Sequence, residues 1–266
     1  MKPSTITFPG SHLFPSKIKA GCLLAAALLC TSGAAVASVL TSDNFTYVDG
    51  ALAGNNGGVG WSGAWTGGGT VAGGVATMTG APAGFRNLST AIVPTAGDSL
   101  YLGLYLSADP SATQFDFAGL SFYSGSNERL FFGMNYQQDL YGINVTGIAN
   151  VNSAAAAGTT PSYVVAQVLF NTASNITVNM YVDPVGPLGV ADATYTGGVL
   201  PGSWDRVRIA AQAPTATYDD IVIGTTLADV YPPITASVPE PSSLALASLG
   251  LALLALSGVG RRRRAN

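Results

Sequence analysis

The sequence predicts an all-β domain built as an antiparallel sandwich, and three observations predict it. Between Ser38 and Val238 helical periodicity is almost absent, whereas alternation of apolar and polar side chains recurs. Glycine, proline and asparagine separate the alternating segments, at Gly125-Ser126-Asn127, Gly147, Gly158, Gly197-Gly198 and Pro201-Gly202. Many short strands with one apolar face bury that face between two sheets and leave the other wet.

In chain order, Lys2, Lys17 and Lys19 precede an apolar run from Ala20 to Cys30 and a small-x-small site, Ala35-Val36-Ala37. This predicts an N-terminal signal peptide over residues 1–37, cleaved before Ser38. Cys30 follows Leu28-Leu29, where lipoprotein processing wants a small residue, so a lipid anchor is not expected. The sandwich is expected over residues 38–232. Its clearest strand is Leu100 to Leu106, with four leucines on one face and Tyr101 and Tyr105 on the other. Ile176 to Val182 alternates in the same way and ends at Asp183-Pro184. Further strands are expected at Val71–Met78, Phe115–Tyr123, Leu130–Tyr136, Tyr163–Phe170, Arg206–Ala210 and Asp220–Ile223. Ala154 to Ala157 is expected to form one helical turn. Tyr231-Pro232-Pro233 ends the fold, and residues 233–238 form a stiff linker.

The tail, residues 239–266, has three parts. Pro239-Glu240-Pro241 is an extended, exposed peptide, because proline fixes φ and removes a backbone donor. Ser242 to Gly260 holds no charge and would rise about 28 Å as a helix, roughly one hydrocarbon core, so one C-terminal transmembrane helix is expected. Arg261, Arg262, Arg263 and Arg264 follow as a basic stop cluster kept on the cytoplasmic side.

Order, spacing and position of these parts resemble the PEP-CTERM sorting signal read by exosortases. The resemblance implies a bacterial protein exported through the inner membrane, held there transiently and processed near Pro239-Glu240-Pro241, in bacteria that make exopolysaccharide. The sandwich itself resembles the concanavalin A-like, laminin-G-like jelly roll. Three stretches carry that likeness: Asp43-Asn44-Phe45 with Asp49-Gly50 leading into Gly57 to Trp61 and Trp65, Ile176 to Pro184, and Tyr218 to Thr225. The last of these looks like a closing strand that returns beside the first.

Composition excludes much chemistry. All three lysines, both cysteines and His12, the single histidine, lie ahead of Ser38. From Ser38 to Val238 there are four basic residues, Arg86, Arg129, Arg206 and Arg208, against thirteen acidic ones. Such a surface repels nucleic acid and anionic headgroups. Without histidine or cysteine, Ser-His-Asp triads, cysteine nucleophiles and ordinary zinc sites have no residues to build from. Gly58-Val59-Gly60-Trp61-Ser62-Gly63 spells G-x-G-x-x-G but lacks the strand before it and the helix after it that a dinucleotide site needs. Retaining glycoside hydrolases need two carboxyl groups about 5 Å apart. The chain has two glutamates, Glu128 at a turn and Glu240 in the tail, and Asp219 and Asp220 are expected on opposite faces of a strand.

No catalytic residue and no cofactor are therefore expected. Trp61 and Trp65 sit four apart in a glycine-rich loop and read first as core anchors. With Trp204, they are also the candidate carbohydrate contacts, as flat platforms for a sugar ring, with Tyr101 and Tyr105 as further candidates. Asp183 and Asp205 are candidate oxygen ligands for Ca²⁺, although no dense Asp/Asn loop supports a metal site. Arg206 and Arg208 are expected on a wet strand face, paired with aspartates. The expectation is a non-catalytic envelope or extracellular-matrix protein with exosortase, the inner membrane and exopolysaccharide as partners and no nucleic acid. A lectin-like carbohydrate-binding module and a divergent polysaccharide-degrading enzyme are the alternatives.

Overall fold

Alternation in the sequence becomes two facing sheets. A computed structural model describes residues 39–109, 116–136 and 139–231. The signal peptide, the linker and the tripartite tail of the sequence reading lie outside the described residues, including Ala35, Ala37, Ser38, Pro239, Glu240, Pro241 and Arg261 to Arg264. Among the described residues no helix is long and apolar enough to cross a membrane.

The strands are β1 (Val39–Asp43), β2 (Gly50–Ala51), β3 (Thr66–Gly67), β4 (Thr70–Ala72), β5 (Val75–Met78), β6 (Ala83–Ile92), β7 (Ser99–Ala108) and β8 (Ala118–Ser124). They continue with β9 (Asn127–Met134), β10 (Leu140–Val145), β11 (Ala149–Ala156), β12 (Ser162–Thr172), β13 (Asn175–Val182), β14 (Ala193–Gly198), β15 (Trp204–Ala211) and β16 (Ala216–Gly224). One helical turn, α1 (Leu227–Val230), follows. A nine-stranded sheet runs β14-β13-β12-β7-β16-β5-β4-β2, with β1 also on β16, and a seven-stranded sheet runs β11-β10-β9-β8-β15-β6-β3. Every pairing is antiparallel.

One core fills the space between the sheets. Leu100, Leu102, Leu104 and Leu106 of β7 enter it from one side, and Leu120, Phe122, Leu130, Phe132, Val207 and Ile209 enter it from the other. Trp204 joins the two layers, stacking on Phe122 at 5.0 Å and meeting Phe170 of β12 edge-on at 5.4 Å. A smaller cluster of Tyr163, Val165, Tyr181, Val222 and Val230 lies on the outer face of the nine-stranded sheet, where α1 covers it. The Tyr231 hydroxyl then donates to the carbonyl of Pro184 at 2.8 Å, tying down the last described residue.

The closing strand returns beside the first, as expected: β16 pairs with β1 through Val39↔Gly224 and Asp43↔Ile221. Three expectations need correction. Val71–Met78 is not one strand, because Gly73 and Gly74 turn it into the β4–β5 hairpin at φ 57° and 84°. Ala154–Ala157 makes no helical turn, because β11 runs as strand to Ala156 on the edge of the seven-stranded sheet. Four alanines are too few to nucleate a helix against a ladder already formed.

The third correction is at Asp219-Asp220. The register of β16 on β7 shifts between Asp219 and Val222, and Asp220 adopts φ 46°. Tyr218 and Ile221 both belong to the core, so both aspartates between them lie off it, on the outer side of the sheet. The bulge sits where β16 changes neighbour, from β5 at residues 216–218 to β1 at residues 221–224.

Candidate functional site

Period-2 alternation places the outward residues of the seven-stranded sheet in rows across the strands. One row reads Ala210, Gly119, Gly133, Gly142 and Asn152, each in register with the next. The adjacent row reads Phe85, Arg208, Ser121, Phe131, Asn144 and Asn150. Three glycines stand side by side, and the Phe131 ring and the Asn135 and Asn152 amides fold over Gly119 and Gly142. A Cβ at Gly133 would stand 2.2 Å from the Ala118 carbonyl oxygen, and one at Gly119 would stand 2.7 Å from the Phe131 ring. Glycine inside a strand therefore marks close approach here.

Along the adjacent row opens a trough of about 450 Å³, lined by Phe117, Glu128, Phe131, Asn135, Tyr136, Asn144, Asn150 and Arg208. Its aromatic wall is continuous: Phe117 meets Phe131 edge-on at 6.0 Å and lies 6.3 Å from Tyr136. Its amide wall is fixed by Asn135, which is buried and donates through Nδ2 to Oδ1 of Asn150 and, at 2.8 Å, to Oδ1 of Asn152. Arg208 donates to Glu128 at 2.7 Å and to the Ser121 hydroxyl at 3.2 Å, and Ser121 donates to Glu128 at 2.5 Å. The Arg208 guanidinium lies 5.8 Å from the Phe117 ring and 5.3 Å from the Tyr123 ring. Arg206 lies between Tyr123 and Phe85 at 5.1 Å and 4.7 Å and donates to the Gly125 carbonyl at 2.6 Å. The two arginines thus stack on rings, and the partner of Arg208 is Glu128 rather than the aspartate expected.

None of the three tryptophans serves as an open platform. Trp65 and Trp204 are buried, and Trp61 is half-buried, packs on the core and donates to the Ser42 carbonyl at 2.9 Å. Trp65 and Trp204 as carbohydrate contacts are corrected accordingly, since a ring inside the core presents no face to solvent. The reason for Trp65 is a buried ion pair. Arg86 and Asp43 meet at 2.5 Å with both side chains 1 % exposed. Asp43 also accepts from Trp65 Nε1 at 2.8 Å, from the Tyr47 hydroxyl at 2.7 Å and from the Phe45 N–H at 2.9 Å. Arg86 donates in addition to Gly63 and Gly57 carbonyls and to Asn56. Burial, then the Asp43 carboxylate, pushes the Tyr47 phenol up from its ordinary value. The glycine-rich loop is thereby locked to β1. At Gly60, with φ 77°, any Cβ would stand 1.9 Å from the Leu40 carbonyl oxygen, so the G-x-G spelling serves packing.

The other candidate residues are on the nine-stranded sheet or at turns. Tyr101 accepts from Gln167 at 2.8 Å, and Tyr105 packs on Tyr163 at 4.8 Å. Asp183 accepts from the Tyr163 N–H at 2.7 Å, and Asp205 accepts from the Gly125 N–H through both oxygens at 3.0 and 3.1 Å. Among the described residues no group of three or more His, Cys, Asp or Glu converges on a metal position. Asp219 is pushed up to about 6, first by burial and then by the charges of Asp220 and Asp43. A carboxyl group with a raised folded pKa costs no stability below its unfolded value near 3.8, and the cost develops as pH rises toward and past 6. Asp219→Asn is therefore expected to raise the thermal midpoint at pH 8 by a few degrees, the half-exposed position screening part of the effect, and to leave it unchanged at pH 3.5. Melting curves at the two pH values check this.

Comparison with known proteins bears on the tail. The family model described as the PEP-CTERM protein-sorting motif matches residues 237–264. A search of curated protein sequences finds no match. Among solved structures, the endo-β-1,4-glucuronan lyase of the fungus Trichoderma reesei is similar over 71% of this chain and 96% of its own, at 12% identity and TM-score 0.45. An alginate lyase of polysaccharide lyase family 7 is similar over 57% and 78%, at 10% identity and TM-score 0.40. The carbohydrate recognition domain of Emp46p in its metal-free form is similar over 61% and 88%, at 7% identity and TM-score 0.40. Similarity this distant assigns neither a ligand nor a reaction. The tail gives the firmer result: this chain carries a PEP-CTERM protein-sorting motif at residues 237–264, the mark of an exported protein addressed to exosortase.

Proposed function

We propose that this chain is a non-catalytic protein of the bacterial cell envelope or extracellular matrix, processed by exosortase, whose sandwich holds exopolysaccharide in the trough of the seven-stranded sheet. The trough carries this reading. It combines what a sugar ring needs: aromatic walls for its C–H faces, and amides and a guanidinium in fixed positions for its hydroxyls. Glu128 is the one acid among the residues lining the trough, and it is engaged by Arg208 and Ser121, whereas hydrolysis of the usual kind asks for two carboxyl groups across the scissile bond. Support for the location comes from the sorting motif.

The test uses protein recovered from cells and medium. Its intact mass is expected to lack residues 1–37 and the basic cluster, and a product outside the membrane that keeps Arg264 would contradict processing. It is expected to bind the bacterium's own exopolysaccharide without turnover. Tyr136→Ala, at an exposed wall position, is expected to weaken binding by about tenfold or more, about 1.4 kcal/mol, with an unchanged melting curve. Clear release of shortened chains, or no binding, would overturn the proposal.

A further inference from the structure

We infer that the seven-stranded sheet binds an internal stretch of a linear polysaccharide laid obliquely across its strands, and not a chain end or a single terminal sugar. This rests on the reading of the trough as a saccharide site and deepens it. The observation is a second hollow on the same sheet, about 370 Å³, lined by Ser62, Asn87, Leu88, Gly125, Asp205 and Arg206. It lies toward β6 and β15, whereas the trough lies over β8 to β11.

The surface between the two hollows is itself built for contact. Phe117, Arg208, Tyr123, Arg206 and Phe85 form an unbroken ladder of alternating rings and guanidinium planes, each arginine within 6 Å of a ring on either side. Such a ladder is pre-set, because each arginine loses its rotamer freedom to the rings that flank it. Phe85 and Phe117, its part-exposed rings, offer apolar faces to sugar C–H groups, the two arginines offer N–H donors to hydroxyls, and buried Tyr123 backs both arginines. Arg206 and Arg208 each direct Nη2 at protein acceptors, and among the described residues the Nε of both finds no partner.

Length argues for a chain. From β10 to β6 the site crosses four strand spacings, about 19 Å, which is more than one ring fills. Shape argues against an end. The lining of the trough reaches Asn150 on β11, which is the edge strand, so the trough extends to the rim of the sheet there. A pocket for a terminal sugar closes around one ring; this surface stays open along its length.

The test is binding of the full secreted protein to size-fractionated oligosaccharides from the bacterium's own exopolysaccharide. Affinity is expected to rise by about tenfold or more from disaccharide to octasaccharide and then level off. Blocking either chain end is expected to change nothing. Asn87→Ala, an exposed position in the far hollow, is expected to weaken octasaccharide binding severalfold and to leave disaccharide binding unchanged, and Phe85→Ala to do so more strongly. Affinity already complete at the disaccharide, loss of binding on blocking an end, or indifference of the octasaccharide to both variants would overturn the inference while leaving the trough intact as a site. Absence of binding to every fraction would overturn the trough reading and the inference with it.

Discussion

Asp43→Ala is expected to destabilise the sandwich by about 3–5 kcal/mol, a large share of what holds a single domain folded. Four interactions end on this carboxylate, from Arg86, Trp65, Tyr47 and the Phe45 N–H. Removing it leaves a guanidinium buried at 1 % exposure without its counter-charge, and desolvation then works against the fold unopposed. It also frees Phe45, a bulky residue held at φ 49°, where the neighbouring bond to Asp43 fixes an unfavourable backbone conformation. Replacing both Asp43 and Arg86 by apolar residues is expected to cost much less than Asp43→Ala alone, since no charge is stranded. Urea unfolding checks both. A loss of under about 1 kcal/mol for Asp43→Ala would mean that the ion pair does not hold the glycine-rich loop.

Trp204→Ala is expected to cost about 3–5 kcal/mol for a different reason. Its ring bridges the layers, stacked on Phe122 from its own sheet and set edge-on against Phe170 from the other. A void at this point removes dispersion contacts from both sheets at once. Among the described residues the indole N–H has no hydrogen-bond partner, so Trp204→Phe is expected to cost far less, by retaining a ring and removing a buried unsatisfied donor. Thermal melts of the two variants separate the contributions. Equal losses would show that the indole nitrogen, and not ring packing, matters there.

The sequence disclosed the elements whose side chains alternate cleanly. Leu100 to Leu106 and Ile176 to Val182 are found with the faces their patterns predict, and Asp183-Pro184 ends its strand. β6 escaped notice because Arg86 points inward to Asp43 and breaks the apolar alternation at its centre. The Asp219-Asp220 bulge was invisible for a related reason: strict alternation assumes no extra residue, and only the change of partner from β5 to β1 reveals one. The trough was illegible as a site because its lining comes from four strands and the flanks of β8 and β9, brought together by register. Phe117, Glu128, Asn144 and Arg208 share no spacing in the chain. One signal was present: Gly119, Gly133 and Gly142 interrupt strand-like runs, and Asn144, Asn150 and Asn152 follow within ten residues. Trp65 is the core anchor its first reading made it, and the sugar-platform alternative stayed open because an aromatic in a glycine-rich loop looks the same in sequence whether it faces solvent or a buried carboxylate.

The most direct test of the account is to map, by amide chemical shifts, where oligosaccharides from the bacterium's own exopolysaccharide touch the secreted protein. The account predicts perturbations at Gly119, Gly133, Gly142, Asn144 and Asn150, extending to Tyr123 and Arg206 for longer fragments. Perturbations confined to the Asp219-Asp220 face or to the loop carrying Trp61 would contradict it.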